Sequence, residues 1–219
     1  MATTGDTTGE LPRESVTVLG SGTAEAAPDL LVATFGSEVR AGTVAEALDG
    51  SVGALAEVIA ALRAGGVGDP DLTTGSASIW PIEDQQGRVT GYRASQQLTA
   101  RLRDLTRAGA LVSGAVAVGG DAARLHGLSF EMSDGREVRE RARAEAWQDA
   151  SAKAGQLASL AGRTLGQVVR IREDGQPQPL RSAHATFASS LASVPAAMPI
   201  EPGATTVTVL IEAEWALLG

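Results

Sequence analysis

Apolar and polar positions alternate along some stretches of the chain and recur every three or four residues along others, and the switches between these periods mark out the elements. Val16 and Val18 alternate with Thr17 and Leu19 in a first strand, which the Gly20-Ser21-Gly22 turn is expected to end. After Pro28-Asp29 a longer strand covers about residues 30–40. Thr43 and Glu46 then stand at capping-box spacing, where each side chain satisfies an amide of the first helical turn. Leu48, Val52, Leu55, Ile59 and Leu62 follow on one stripe and Gly65-Gly66 supplies a stop, so a helix is predicted over 44–64. Strands over 71–81 and 88–103 read as a hairpin, with Gln96, Leu98, Ala100 and Leu102 on one face of the second. A weaker helix over 105–118 turns Leu105, Ala108, Leu111, Val112 and Ala115 inward. Its Gly109 and Gly114 each cost about 1 kcal/mol relative to Ala. Leu128, Phe130 and Met132 alternate in another strand, whose parity places His126 at the edge of the core.

That order, strand–helix–strand–strand–helix–strand, is a split βαβ or ferredoxin-like unit of the α+β class. A long helix follows over 135–161, with Asp134 as N-cap and Gly162 past its end. Its inward stripe is Val138, Ala142, Ala146, Ala150, Ala154, Leu157 and Ala161, small enough for the helix to lie very close to its partner. A strand over 165–173 and a final strand over 206–217 complete a mixed sheet. In the last, Val207, Val209, Ile211, Ala213 and Trp215 face inward. Residues 1–13 read as a disordered tail and 174–203 as a long Pro-, Ser- and Ala-rich loop, with one domain spanning 14–219.

Composition narrows the chemistry. Aromatics make up only 3% of the 219 residues, so the core is built from Ala, Val, Leu and Ile. A formal net charge of −8 leaves no overall basic footprint for nucleic acid. Arg136, Arg139, Arg141 and Arg143 are clustered, but Glu137, Glu140 and Glu145 alternate with them as on a solvated helix face. The absence of cysteine removes disulfides, thiolate nucleophiles and Cys-based metal sites. The first dozen residues have neither a basic start nor an apolar stretch, and no apolar run approaches the roughly 18 residues of a membrane helix. A cytoplasmic protein is therefore expected.

No catalytic constellation stands out, and no cofactor or metal is expected. His126 and His184 are the only histidines and lack the spacing of zinc or triad partners. Gly20-Ser21-Gly22-Thr23 follows a strand but matches neither phosphate-binding fingerprint. Lys153, the only lysine, has Asp149 four residues before it, as in a surface ion pair. Acidic neighbours occur at Glu83-Asp84, at Glu173-Asp174, and at Glu131 near Asp134. They support an alternative reading, a ligand-binding or hydrolytic cleft lined by acids. Phe187, Leu191, Val194 and Met198 recur at a spacing of three or four, flanked by Pro195 and Pro199. An apolar stripe of this kind suits contact with a neighbouring subunit or packing over the chain's own core.

Taken in order, these residues resemble the SIMPL-domain family, which includes bacterial YggE-like proteins. The matching pieces are Val16-x-Val18-x-Gly20-x-Gly22 with Pro28-Asp29, Glu46-Ala47-Leu48, Gly66 to Asp71-Leu72-Thr73, and Gly91-Tyr92 with Leu98 and Asp104. Gly119-Gly120, Phe130, Asp149-Ala150-x-x-Lys153-Ala154, Leu157-Ala158, Gly166 and Ile200-x-Pro202-Gly203 continue the match over about 14–217. The resemblance implies a mixed α/β fold, self-association into large ring-like homo-oligomers, and a role often in the cell envelope and linked to oxidative-stress defence. It brings no catalytic residues. Without cysteine, reversible oxidation could reach only Met132 and Met198 apart from the initiator. The expected protein is thus a non-enzymatic, self-assembling one whose partner is itself.

Overall fold

A computed structural model describes residues 14–174 and 201–219. Its strands are β1 (Ser15–Ala26), β2 (Leu30–Ala41), β3 (Leu72–Glu83), β4 (Val89–Leu102), β5 (Ala123–Glu131), β6 (Thr164–Asp174) and β7 (Thr205–Leu218). Its helices are α1 (Val44–Ala64), α2 (Leu105–Gly119) and α3 (Arg136–Leu160). The expected α+β class holds. The mixed sheet resolves into two sheets, one of four strands and one of three, in two compact units. Residues 1–13 and 175–200, with the disordered tail, the long loop and the Phe187, Leu191, Val194, Met198 and His184 expected there, lie outside the described residues.

One unit takes in Ala27–Ser133. Its sheet runs β3-β4-β2-β5 with antiparallel neighbours, the strand order of a split βαβ fold. Alternation along β2 and β4 sends Leu31, Ala33, Phe35, Leu98, Ala100 and Leu102 to one face, where α1 and α2 bury them. α1 has the predicted bounds, and its capping box forms: the Glu46 amide donates to Thr43 and the Thr43 amide to the Glu46 carboxylate. Its buried stripe is Ala47, Ser51, Leu55, Val58 and Leu62, shifted from the larger residues expected, and Val52 is half exposed. The shift puts Ser51 opposite Ser37 of β2, where their buried hydroxyls bond at 2.7 Å. Gly66 ends α1 with a φ of +95°, a conformation that favours glycine.

The same unit corrects the reading of His126. The β2–β5 register shifts between Thr34 and Phe35, so Leu125 opposes Phe35 while Gly127 opposes Thr34. This β-bulge absorbs His126 and breaks the parity with Leu128. His126 is exposed rather than at the core edge, and it lies over Gly36, where a Cβ would collide with its imidazole.

The second unit takes in the described residues of Met1–Ala26, Asp134–Gln178 and Thr206–Gly219. Three strands in the order β1-β7-β6 carry α3 on one face. Along β7 the alternation read from sequence is met, with Val207, Val209, Ile211, Ala213 and Trp215 buried. Trp147 of α3 stacks on Trp215, ring centroids 5.4 Å apart. The buried stripe of α3 is Val138, Ala142, Ala146, Ala150, Ala154 and Ala158; Leu157, expected inward, is 45% exposed. Gly135 rather than Asp134 is the N-cap, although the Asp134 carboxylate still accepts the Arg136 amide at 2.9 Å.

Gly20-Ser21-Gly22 is no turn, because β1 continues through it to Ala26. A Cβ at Gly20 would overlap the Ala146 carbonyl oxygen, and one at Gly22 the Ala142 carbonyl oxygen. The glycines form a notch that admits the backbone of α3 against the strand, and the alanine stripe keeps the helix side of that contact equally thin.

Candidate interaction surface

The close fit of α3 on β1 has a second component. β1 is an edge strand, so alternate residues aim backbone groups away from the sheet with no strand to receive them. Side chains of α3 receive four of them. Arg141 donates to the Glu25 carbonyl (2.9 Å), and Glu145 accepts the Thr23 amide (2.7 Å). Asp149 accepts the Ser21 amide (2.8 Å), and Lys153 donates to the Leu19 carbonyl (3.0 Å). Steps of four residues on the helix match steps of two on the strand, and cations meet carbonyls while anions meet amides. The expected Lys153–Asp149 ion pair is present at 2.7 Å, but it is one link in this ladder. Hydrogen bonds from Lys153 and from the Ser21 amide hold the Asp149 carboxyl below the usual range.

The other edge of the sheet is different. Val168 and Ile171 of β6 oppose Trp215 and Ala213, which are buried on the α3 side, so they belong to that same face. Yet α3 lies mainly along β1, leaving Val168 37% and Ile171 56% exposed. Val169, beside a register shift, is 54% exposed. Arg143 bridges from α3 to Glu173 near the end of β6 (2.7 Å), and hydrogen bonding to Arg143 lowers the Glu173 carboxyl. At one edge of the sheet side chains of α3 engage four backbone groups; at the other, Val168, Val169 and Ile171 are exposed alongside Arg170 and Arg172.

Two members of the acid pairs, Asp84 and Asp134, are each engaged by a neighbouring arginine. Asp84 accepts the Arg88 and Gln86 amides and the Arg88 guanidinium, organising the β3–β4 turn, and those bonds lower its carboxyl. Asp134 is engaged by Arg136, which depresses its carboxyl to about 2. The arginine cluster is likewise used structurally: Arg136 on Asp134, Arg141 on β1 and Arg143 on Glu173. His126 lines a shallow concavity of about 350 Å³ on the sheet face away from α1 and α2, with Thr34, Thr99, Ser129 and Glu131. Among the described residues no group of three or more His, Cys, Asp or Glu could hold a metal ion, and no helix is long and apolar enough to cross a membrane.

Two α+β units, one of them with a helix laced to an edge strand, define a protein without a visible catalytic centre among the described residues. The chain belongs to the SIMPL family, described as a protein of unknown function (DUF541), whose model matches residues 16–215. It is 32% identical over 210 residues to the 26 kDa periplasmic immunogenic protein of Brucella melitensis biotype 1, covering 90% of this chain and 82% of that protein. The protein of the same name from Brucella abortus strain S19 matches to the same extent. The uncharacterised protein YggE of Edwardsiella ictaluri is 27% identical over 190 residues, covering 83% of this chain and 78% of its own. The expectation of a cytoplasmic protein is overturned, because these Brucella relatives are named as periplasmic. The composition of the first residues was too indirect a guide to compartment.

Proposed function

We propose that the chain works as a self-assembling homo-oligomer, with the β6 edge of its three-stranded sheet as a subunit contact. One observation carries the reading: four outward backbone groups of β1 are engaged by α3, whereas β6 presents Val168, Val169 and Ile171 to solvent. An edge strand with exposed apolar side chains is a template for pairing with another chain. The Phe187–Met198 stripe is a second candidate contact on its sequence pattern alone. The names of the Brucella relatives support placing the assembly in the periplasm. There, protection against oxidants would come from the assembly rather than from a reactive thiol, since the chain has no cysteine.

Light scattering on the full-length chain should give a mass several times 22.3 kDa. Val169→Lys combined with Ile171→Lys should lower that mass while leaving the circular dichroism spectrum unchanged. A parent chain that runs as a 22.3 kDa monomer at micromolar concentration would sink the proposal. Deleting residues 176–200 tests the stripe separately, and an unchanged mass would clear it of the role.

A further inference from the structure

The four-stranded sheet has a second feature on the face turned away from α1 and α2. Trp80, Arg93 and Arg40 stand directly opposite one another across β3, β4 and β2, and the next row holds Ser78, Ser95 and Glu38. Alternation puts both rows on this face, because Leu98 and Ala100 of β4 and Ser37 of β2 point to the helices. Opposed side chains on one face start about 4.5–5.5 Å apart at Cβ, so each row is contiguous. Trp80 is 65% exposed, and both arginine side chains reach solvent. The two guanidinium groups approach the same Glu38 oxygen, Arg40 at 3.6 Å and Arg93 at 3.8 Å, too far for a hydrogen bond. The buried Nε of Arg93 has no hydrogen-bond partner, while Ser78 and Ser95 bond to each other at 2.9 Å. Two arginines against one glutamate leave one positive charge beside an open indole ring, on a chain of formal net charge −8.

We propose that this patch docks an acidic segment of another protein, with Asp or Glu carboxylates on the exposed ends of Arg40 and Arg93 and an apolar side chain laid on Trp80. Tryptophan and arginine dominate the energetics of protein interfaces, and a guanidinium group takes a carboxylate through two parallel N–H bonds. A pleated sheet face is shallow where sites for small molecules are concave, so it fits a polypeptide. A nucleic-acid strand fits less well, because a surplus of one charge cannot offset the repulsion between its phosphates and an acidic chain.

The full-length chain, labelled with nitrogen-15, would be titrated with the end-blocked peptide Glu-Leu-Glu-Leu-Glu and separately with Gln-Leu-Gln-Leu-Gln, while the Trp80 indole and Ser95 amide signals are followed. Saturable shifts with a Kd of about 1 mM or tighter are expected for the acidic peptide. Binding of the neutral peptide should be at least about fivefold weaker. Arg40→Gln with Arg93→Gln should remove that preference and leave the circular dichroism spectrum unchanged. Added sodium chloride should weaken binding of the acidic peptide to the parent chain, a readout that stands even if the double variant fails to fold. Unsaturated shifts with the acidic peptide, equal affinity for the two peptides, a preference retained in the folded variant, or indifference to salt would overturn the proposal. So would saturation by a thymidine oligonucleotide in place of the acidic peptide. A fall in the light-scattering mass of the folded double variant would overturn it too, by assigning the patch to a second copy of the chain.

Discussion

Two buried contacts show how much depends on single side chains. Ser37 and Ser51 are 2% and 0% exposed and satisfy only each other across the β2–α1 contact. Ser37→Ala leaves the Ser51 hydroxyl buried without a partner and should cost about 1–3 kcal/mol in urea unfolding. The double change to alanine should cost less than the sum of the two single changes, since no orphan hydroxyl remains. At Gly20 the constraint is steric rather than polar. Gly20→Ala drives a methyl group into the Ala146 carbonyl, and because that group is helix backbone it cannot rotate aside. A loss of about 1–3 kcal/mol is expected in the same assay, with the neighbouring Ser21→Ala much milder because that side chain is exposed.

Within elements, the contact between α3 and β1 should respond to acid. Bonds to Lys153 and the Ser21 amide lower the Asp149 carboxyl in the folded chain, so the unfolded chain binds its proton more readily. The stabilisation is complete above the unfolded pKa of about 4 and fades as pH falls through the lower folded value. Asp149→Asn should therefore flatten the decline of the urea midpoint below about pH 4, and an identical slope would count against the bond. Asp134, held at about 2 by Arg136, follows the same sign and remains as a background. Local signals were enough for α1 and β7. The Thr43–Glu46 box and Gly66 fix one, and strict alternation of Val207 to Trp215 fixes the other. They failed where a distant element decides. Gly20 and Gly22 carry the signature of a turn, yet their missing side chains answer the approach of α3 from more than 120 residues away. His126 follows strand parity until a one-residue bulge cancels it. Arg141, Glu145 and Lys153 look like a solvated helix face because sequence shows charge but not the strand edge beside it.

For the molecule as a whole, the two units differ in how the chain supplies them. Among the described residues, the buried core of the split βαβ unit lies between Leu31 and Leu128, whereas the other sheet draws β1, β6 and β7 from separate parts of the sequence. A fragment covering 27–133 should fold alone with a cooperative urea transition; a fragment lacking one would show that its core needs the rest of the chain. The side-chain ladder on β1 also sets its own length. Four helical residues advance about 6.0 Å and two strand residues about 6.7 Å, so the elements slip out of step by about 0.7 Å per rung. Over the whole run the slip reaches about 2 Å, and the sequence answers it with reach: short carboxylates at Glu145 and Asp149 serve the middle, and the long stems of Arg141 and Lys153 stretch to the ends. Beyond Lys153 the next position in the series is Leu157, which has no polar group to offer. A helix can thus stand in for a missing strand only over a fixed, short span, and the lengths of its side chains record where that span runs out.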